Sequence, residues 1–312
     1  KFSMFSVLFP GQGSQSVGMI KELYDNFEYV KKLFDQADEA LNLKLSEIIF
    51  EGPKEDLNET ENTQPAIFLV SYSIFKVIQK ETQFEIKKAK FFAGHSLGEY
   101  SALCCADAIS FEQTINLLKY RGHAMQNAVP NGEGGMMAVL GKSVEEITKI
   151  LNENSKKFLC FIANDNTNGQ IVISGKLKDL KLLSNELNLN NIKYVNLPVS
   201  APFHCPLMKE ATNTMKQRLV DTEFKDPFVE IISNVTASPT KKSQDIKNLL
   251  IQQIEKPVRW RESINNMINL GVNNFIEIGP GKVLSGLIKR IDRNMKLNQV
   301  NNLSDAKKLI ND

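Results

Sequence analysis

A serine stands between two glycines where a short apolar run passes into a helical one, and this arrangement constrains the fold more than any other feature. Residues 90–93 predict a strand, the pentapeptide Gly-His-Ser-Leu-Gly follows at residues 94–98, and a helical pattern continues through Cys104. A nucleophile on such a strand–turn–helix unit sits in strained backbone geometry, and flanking glycines remove side chains that would collide there. The context predicts Ser96 as a nucleophile; the alternative is a tight structural turn with an incidental serine.

Other short apolar segments alternate with helical ones on both sides of this unit. Phe5–Phe9 predicts a buried strand, and residues 63–80 predict a helix with Thr63 as its cap and Pro65 in its first turn. Further strands are predicted at residues 229–233 and 274–278. Strands that alternate with helices are typical of a mainly parallel sheet covered on both faces, so the predicted fold class is α/β.

The middle of the chain follows a different order of elements. The apolar patterns predict a strand, a helix, two strands around a turn-rich segment, a helix and a final strand, at residues 136–140, 144–151, 158–163, 170–174, 177–189 and 194–199. This βαββαβ order is that of a ferredoxin-like unit, which can close as a small domain with its two ends together. We therefore predict an inserted ferredoxin-like subdomain at residues 129–199 and a core formed by residues 1–128 and 200–312.

The composition is that of an ordinary globular chain. Of 312 residues, 42% are hydrophobic and 24% are charged, and the formal net charge of +2 lacks the basic excess of a nucleic-acid-binding protein. No apolar run approaches the roughly 20 residues that span a bilayer. A membrane partner is therefore not predicted. The opening residues lead directly into the first strand, so no secretion signal is predicted either.

The four cysteines have no metal-ligand spacing and form no C-x-x-C pair. They are Cys104, Cys105, Cys160 and Cys205. Buried free thiols in a reducing compartment are the simplest interpretation. The predicted location is the cytoplasm of a bacterium, or an organelle matrix if a targeting segment has been removed.

A serine hydroxyl needs a base, and the chain offers three histidines. His95 is adjacent to Ser96, and since neighbouring side chains diverge, it is interpreted as a packing or supporting residue. His123 lies in a helical stretch and fits an exposed surface position. His204 follows a turn-rich exit from the last strand of the predicted subdomain, where catalytic groups are commonly held. Its position alone leaves two interpretations open, a catalytic base and a structural histidine.

Two glycine-rich turns follow predicted strands. The segment Pro-Gly-Gln-Gly-Ser-Gln at residues 10–15 lacks the Gly-Lys-Ser/Thr ending of a P-loop and the glycine spacing of a dinucleotide-binding turn. An oxyanion hole fits it better, because in α/β folds a turn after a nearby strand supplies the second amide donor. The Gly-Pro-Gly at residues 279–281 is interpreted as a plain strand-to-helix turn, since its proline has no amide hydrogen to donate.

Taken in order, five segments resemble the pattern of the malonyl-CoA:acyl-carrier-protein transacylases and the related acyltransferase domains of fatty acid and polyketide synthases. The resemblance covers nearly the whole length and implies an α/β-hydrolase-like core with an inserted ferredoxin-like subdomain. The segments are Phe-Pro-Gly-Gln-Gly-Ser-Gln at 9–15, Gly-His-Ser-Leu-Gly-Glu-Tyr-Ser-Ala at 94–102, Arg-Gly at 121–122, Pro-Val-Arg-Trp at 257–260 and Glu-Ile-Gly-Pro-Gly at 277–281.

Three residues take catalytic roles by this resemblance. Ser96 would be the nucleophile and His204 its general base. Gln253, which stands four residues before the Pro-Val-Arg-Trp segment, would orient His204 through its carbonyl. The carbonyl would thus replace the carboxylate of a catalytic triad.

Four further residues take substrate-binding roles by the same resemblance. Arg121 would hold the malonyl carboxylate with two parallel hydrogen bonds, and the backbone amides of Gln12 and Leu97 would form the oxyanion hole. Phe203 departs from stand-alone bacterial enzymes, which often have a serine before the histidine. It resembles malonyl-selective polyketide synthase domains, in which bulk at this position disfavours an α-methyl group.

The implied activity is transfer of malonyl from malonyl-CoA to the phosphopantetheine thiol of holo acyl carrier protein, through a malonyl-serine, for type II fatty acid synthesis. Coenzyme A is then part of the substrate, no metal or other cofactor is implied, and the chain is expected to act as a monomer. The alternatives are a serine thioesterase or esterase, which needs no Arg121, and a non-catalytic scaffold. The basic segment at residues 282–296 either docks an acidic carrier or is a plain solvated helix face.

Overall fold

The computed structural model describes residues 3–311, which form two separate β-sheets with helices packed against them. The strands are β1 (Phe5–Phe9), β2 (Phe91–Gly94), β3 (Gly134–Leu140), β4 (Cys160–Thr167), β5 (Gln170–Lys176), β6 (Tyr194–Asn196), β7 (Glu230–Ile232), β8 (Pro239–Thr240), β9 (Asn274–Ile278) and β10 (Lys296–Val300). The helices are α1 (Lys21–Asn26), α2 (Glu28–Leu41), α3 (Leu45–Glu51), α4 (Lys54–Leu57), α5 (Thr60–Glu81), α6 (Gly98–Cys105), α7 (Phe111–Asn127), α8 (Val144–Glu153), α9 (Leu177–Leu189), α10 (Lys209–Asp221), α11 (Ser243–Gln253), α12 (Trp260–Asn269), α13 (Val283–Ile291) and α14 (Leu303–Lys307).

The main sheet has six strands in the order β10-β9-β1-β2-β7-β8. All neighbouring pairs are parallel except β7 and β8, which pair antiparallel at one edge. Parallel neighbours need crossover connections, and the helices in those connections cover both faces of the sheet. Because β9, β1, β2 and β7 run in the same direction side by side, the turns at their carboxyl ends come together.

The second sheet has four strands in the order β4-β5-β3-β6, and every pair is antiparallel. With α8 and α9 in the connections, this is the ferredoxin-like arrangement. Ile147 from α8 and Leu183 from α9 share a buried core with Ile171 from β5. The predicted fold class, a mainly parallel α/β core with a ferredoxin-like unit, is confirmed. The division into an insert at residues 129–199 and a core of residues 1–128 and 200–312 stays a prediction.

The long helix α5 differs from the prediction at its start. It begins at Thr60, one turn earlier than expected, so Thr63 does not cap it. The Thr63 hydroxyl is buried and donates to the carbonyl oxygens of Leu57 (2.5 Å) and Glu59 (2.9 Å). The cap prediction is therefore wrong, because this threonine satisfies its hydroxyl within the preceding turn.

Strands β4, β6 and β10 also differ from the sequence expectation, and the short β8 was not predicted. The strand expected at residues 158–163 is β4, which begins at Cys160 and continues through the turn-rich segment to Thr167. The strand expected at residues 194–199 is β6, which ends at Asn196. The polar strand β10 was not predicted from the sequence; it pairs with β9 at the sheet edge, where half-buried side chains suffice.

Helix α5 runs beneath the main sheet and is apolar around most of its circumference. Such a helix has to be buried on all sides, and Ile67, Phe68, Val70, Ile74 and Val77 are each at most 1% exposed. It packs mainly against α7. Within residues 3–311, no helix is both long and apolar enough to cross a membrane.

All four cysteines are buried and free, as the sequence indicated. Burial raises the pKa of the thiols of Cys104, Cys160 and Cys205 to about 12. Since the thiolate is the reactive form of cysteine, these side chains are packing groups.

Strand β4 of the second sheet is hydrogen-bonded to the segment that precedes α12 in the core. The amide of Val258 donates to the carbonyl of Ala163 (2.8 Å), and the amide of Asp165 donates to the carbonyl of Val258 (3.0 Å). Arg261 at the start of α12 forms an ion pair with the nearly buried Asp165 (2.9 Å). These contacts place the next residue of β4, Asn166, beside the turn that carries Ser96.

The aromatic cluster around Phe92 provides a test of the main core. Phe92 is fully buried, and its ring centroid lies 5.6–5.9 Å from those of Phe9, Phe75 and Phe228. Phe92→Ala is expected to lower the free energy of unfolding by about 3–5 kcal/mol, because the lost contacts leave a cavity that the sheet cannot close.

Denaturant unfolding of the whole chain measures this effect. Leu189→Ala serves as the control, since that leucine is 79% exposed and its truncation should change stability by less than about 0.5 kcal/mol. Equal effects of the two substitutions would contradict the placement of Phe92 in the core.

Candidate active site

The turn that carries Ser96 requires both of its glycines. A Cβ atom at Gly94 would lie 1.8 Å from the carbonyl oxygen of Gly98, and one at Gly98 would lie 2.2 Å from that of Phe9. Ser96 itself has a φ of 55°, a left-handed conformation that costs a non-glycine residue about 1–3 kcal/mol. Strand β2 therefore stops abruptly at Gly94, and the Ser96 side chain stands at the carboxyl edge of the main sheet.

The structure brings Ser96 and His204 into direct contact, although they lie far apart in the sequence. Ser96 Oγ is 2.7 Å from His204 Nε2, and His204 Nδ1 is 2.8 Å from the backbone carbonyl oxygen of Gln253. A carbonyl only accepts, so Nδ1 carries the hydrogen and Nε2 is left to accept from the serine hydroxyl. This is the tautomer that a general base needs.

The residues next to His204 in the sequence are fixed by hydrogen bonds, which hold its backbone in place. Its own φ is 57°, and it is 3% exposed. The hydroxyl of Ser174 on β5 donates to the carbonyl oxygen of Phe203 (2.6 Å), and the thiol of Cys205 lies 3.2 Å from the carbonyl oxygen of Pro202. Phe203 is itself 7% exposed and directly precedes the imidazole.

Burial keeps the imidazole neutral. Desolvation, followed by the positive charge of Arg121, lowers the pKa of His204 to about 3, well below the ordinary histidine value of 6.5. At every pH near neutrality, His204 is therefore free to accept a proton.

Arg121 is a fully buried cation beside the nucleophile. Its Nη1 donates to Gln64 Oε1 (2.8 Å), and its Nη2 donates to both Gln253 Oε1 (2.7 Å) and Ser96 Oγ (3.2 Å). Within the described part of the chain, no carboxylate oxygen comes within 4.0 Å of this guanidinium. A buried charge without a counter-charge is costly, so the arrangement is suited to an anionic group bound next to Ser96.

Two backbone amides are candidates for the oxyanion hole. Among residues 3–311, the amides of Gln12 and Leu97 donate to no protein acceptor. Leu97 is the N-cap of α6, and a Cβ at Gly11 would lie 2.5 Å from the carbonyl oxygen of His95. The turn after β1 thus presses directly against the turn after β2, as required if both amides are to serve one oxygen atom.

The other two histidines lie outside the reacting centre. His95 Nε2 is 2.8 Å from Asn166 Oδ1, and the His95 ring packs on Trp260 with 5.3 Å between centroids. His123 is exposed and lies 3.3 Å from a carboxylate oxygen of Glu61. These placements agree with a supporting position for His95 and a surface position for His123.

Sequence reasoning missed several buried polar residues at the site, among them Asn234 and Glu99. Asn234 follows strand β7, and its Oδ1 accepts from the amide of Ser96 (2.8 Å). Glu99 lies in α6 and accepts from the amide of Asn234 (2.7 Å); burial raises the pKa of its carboxyl to about 7. A polar residue directly after a predicted parallel strand was an available signal for Asn234, because ligand-binding groups gather at that edge.

A cavity of about 330 Å³ adjoins the site on the side of Gln12. Its wall includes a chain of side-chain hydrogen bonds from Gln12 through Thr60 and Gln126 to Ser200. A larger cavity of about 530 Å³ lies at the opposite edge of the sheet, where β1, β7 and β9 begin, and has no contact with Ser96. Within the described residues, no group of three His, Cys, Asp or Glu side chains could hold a metal ion.

Known proteins resemble this chain in sequence over nearly its whole length. Residues 7–307 match the family model described as acyl transferase domain. The chain is 47% identical over 296 residues to the malonyl CoA-acyl carrier protein transacylase of Bacillus subtilis. This alignment covers 94% of this chain and 92% of that protein. It is 39% identical over 290 residues to the protein of the same name from Salmonella typhimurium, with 93% of each chain covered.

Solved structures of proteins with similar names also resemble this chain. The acyl-carrier-protein-S-malonyltransferase of Bartonella henselae is similar with a TM-score of 0.94 and 43% identity, over 97% of both chains. A malonyl-transacylase in complex with a type II polyketide synthase acyl-carrier protein is similar with a TM-score of 0.93 and 37% identity, over 97% of this chain and 98% of that one.

The neutral state of His204 leads to a prediction on pH. With the His204 pKa near 3, the rate at which a fluorophosphonate labels Ser96 should stay level from about pH 8 down to about pH 5, with no step at 6.5. The labelling is followed by intact-protein mass spectrometry.

The measurement is made in the Glu99→Gln variant, because Glu99 titrates near pH 7 and glutamine keeps an acceptor oxygen for the Asn234 amide. A step with its midpoint close to 6.5 in that variant would mean that His204 is solvated like an ordinary histidine.

Proposed function

Because the chain belongs to the acyl transferase domain family, we propose that it transfers a malonyl group from malonyl-CoA to the phosphopantetheine thiol of holo acyl carrier protein. The names of its relatives support this activity, and one solved relative is a complex with an acyl-carrier protein. The acyltransferase supplies type II fatty acid synthesis, works as a monomer in the bacterial cytoplasm or an organelle matrix, and uses no cofactor beyond its thioester substrate.

The first half of the reaction forms a malonyl-serine. His204 Nε2 takes the proton of Ser96 Oγ as this oxygen attacks the thioester carbonyl carbon. The amides of Gln12 and Leu97 donate to the oxyanion, and each such donor contributes about 3–4 kcal/mol in comparable sites. The tetrahedral intermediate collapses, the C–S bond breaks, and the coenzyme A sulfur leaves with the proton from His204.

The second half runs the same steps in reverse with another thiol. The phosphopantetheine thiol gives its proton to His204 and attacks the acyl carbon, and Ser96 Oγ leaves with that proton. The carbonyl of Gln253 keeps the imidazole in the required tautomer through both halves. Since one product leaves before the second substrate binds, the kinetics are ping-pong.

The single observation that carries the choice of malonyl is the buried Arg121. Its Nη2 is 3.2 Å from Ser96 Oγ, and the guanidinium has no carboxylate partner in the described residues. A malonyl group on Ser96 would place its free carboxylate against this cation, where two parallel N–H···O bonds can form. A thioesterase or esterase for neutral acyl groups has no use for such a charge, and no observation favours that alternative.

Phe203 sets a second limit on the acyl group. Its side chain is nearly buried directly before His204, and its backbone is fixed by Ser174. We propose that its bulk disfavours an α-methyl group and so favours malonyl over methylmalonyl.

The acceptor is tested by one assay with malonyl-CoA and purified holo acyl carrier protein. Mass spectrometry of the carrier should show the malonyl-carrier adduct. Release of free malonate without an adduct would support a hydrolase, and no change in either substrate would support a non-catalytic scaffold.

Substitution of Arg121 tests the choice of malonyl. Arg121→Ala is expected to lower kcat/KM for malonyl transfer by at least about a hundredfold, because a buried, hydrogen-bonded charge pair is lost. Acetyl transfer should be unchanged or faster, since acetyl has no carboxylate. Both activities are measured with the same carrier protein.

The control for this prediction is Arg218→Ala, an exposed arginine that stacks on Tyr120 far from Ser96. It should leave both rates near their original values. An equal loss of malonyl and acetyl transfer in Arg121→Ala would show that Arg121 does not select the acyl group.

The basic segment at residues 282–296, which contains helix α13, is proposed as the docking site of the acidic carrier. The helix starts just after the turn that follows β9, at the same sheet edge as Ser96, and Val283 is 50% exposed beside the cations. Within residues 3–311, none of the five lysine and arginine side chains of this segment is paired with a carboxylate. They are Lys282, Lys289, Arg290, Arg293 and Lys296.

Charge reversal tests this docking site. Lys289→Glu is expected to raise the KM for the carrier several-fold at low salt and to weaken its salt dependence, because exposed charges act mainly on encounter. The KM for malonyl-CoA should not change. Lys241→Glu, at the opposite edge of the sheet, is the control; equal effects of both variants would favour the plain solvated helix face.

A further inference from the structure

Asn234 lies at the centre of a buried hydrogen-bond network beneath the nucleophile. It is 1% exposed and lies two residues after the end of β7. Its Oδ1 accepts from the amide of Ser96 (2.8 Å), and its Nδ2 donates to the carbonyl of Gly94 (2.8 Å). Its own backbone amide donates to Glu99 Oε1 (2.7 Å), and its carbonyl accepts from the amide of Arg259 (3.0 Å).

One side-chain amide thus binds both ends of the strained turn. Gly94 and Ser96 flank His95, and the φ of 55° at Ser96 makes this turn unfavourable by itself. The two hydrogen bonds stabilise the strained conformation, because relaxation of the turn would break both of them. They also turn the Ser96 amide away from the reacting side, so the next amide, that of Leu97, is the one left for an oxyanion.

The same oxygen atom also connects the turn to the base. Asn234 Oδ1 accepts a second hydrogen bond, from Gln253 Nε2 (3.2 Å), which also donates to the carbonyl of Ser96 (3.1 Å). Gln253 in turn binds His204 through its backbone carbonyl and Arg121 through Oε1. The placement of the nucleophile, the base and the guanidinium therefore depends on a common support.

We propose that Asn234 is a positioning residue for the acyl transfer, which holds the Ser96 backbone and Gln253 in their reactive arrangement; this inference rests on the proposed function. A carboxamide can accept from the Ser96 amide through its oxygen and donate to the Gly94 carbonyl through its nitrogen at the same time. An ionised aspartate keeps the acceptor but repels the Gly94 carbonyl. Alanine leaves both backbone groups and Gln253 Nε2 without this partner.

The first experiment compares Asn234→Ala with the original chain. The rate of Ser96 labelling by a fluorophosphonate and the kcat for malonyl transfer should both fall about a hundredfold, the cost of a reacting group displaced by about 1 Å. The KM for malonyl-CoA should change by less than about threefold, since Asn234 contacts no substrate. Labelling and kcat within about threefold of the original values, in folded protein, would overturn the proposal.

Asn154→Ala is the matched control. Asn154 is also nearly buried, at 7% exposure, and its Nδ2 also donates to a backbone carbonyl, that of Ile150 (2.8 Å). It lies at the end of α8, away from Ser96. Its truncation should lower thermal stability without lowering either rate, and rates reduced as much as in Asn234→Ala would count against a specific role for Asn234.

Asn234→Asp tests the positioning role of Asn234 even if the alanine variant does not fold. Position 234 is buried, and burial raises the pKa of a carboxyl, so the introduced aspartate becomes protonated as the pH falls and can then donate to the Gly94 carbonyl. Its labelling rate relative to the original chain should rise about tenfold from about pH 8 to about pH 5. Both proteins carry Glu99→Gln in this comparison, because a carboxyl at position 234 would shift the titration of the adjacent Glu99. Burial lowers the pKa of His95 and His204, and Arg121 keeps its charge. A ratio that does not change with pH would overturn the proposal.

The two readouts separate this inference from the proposed function. If the original chain is labelled at Ser96 but transfers no malonyl, the proposed function fails, and the labelling rates still decide the role of Asn234. If malonyl transfer is intact and the Asn234 variants behave like the original chain, only the inference about Asn234 fails.

Discussion

The hydrogen bond between Ser96 Oγ and His204 Nε2 joins segments that are 108 residues apart, and the rest of the site is arranged around it. Both residues have left-handed backbone conformations, with φ values of 55° and 57°. Neither conformation is favourable alone, so each is maintained by neighbours. Ser96 is held by the glycines and Asn234, and His204 is held by the Gln253 carbonyl and the contacts around Phe203. The hydrogen bond between Ser96 and His204 therefore depends on the tertiary contacts that hold each of the two residues.

Burial gives the site its electrostatic character. Desolvation favours the neutral form of each titratable group, which lowers the pKa of His204 and raises that of Glu99. Arg121 is the exception, because a guanidinium keeps its proton even when burial lowers its pKa. The site therefore combines a neutral imidazole with a fixed cation. The described residues supply no carboxylate within 4.0 Å of this cation.

The sequence predicted those parts of the molecule that are encoded locally. The turn at residues 94–98, the βαββαβ order and the helix Leu177–Leu189 follow from patterns within short windows. The cap at Thr63 was wrong because the preceding turn competes for its hydroxyl. The contacts of Asn234 and Glu99 were missed because their partners lie 135–140 residues away. The place of Asn234 after a predicted strand indicated the sheet edge but not these partners. The family resemblance, not the spacing, singled out Arg121, Gln12, Gln253 and Phe203, and their roles stay predictions.

The strand order of the main sheet has a consequence for synthesis on the ribosome. Strand β1 is central and pairs on one side with β9, which is translated only after all of β2 to β8. An unfinished polypeptide therefore holds an open strand edge and the apolar α5 for most of its translation time. Such nascent species are prone to aggregate, and their folding is slow because the closing contact is so distant in the sequence. We expect this protein to depend on chaperones during translation more than a fold of the same size with locally paired strands.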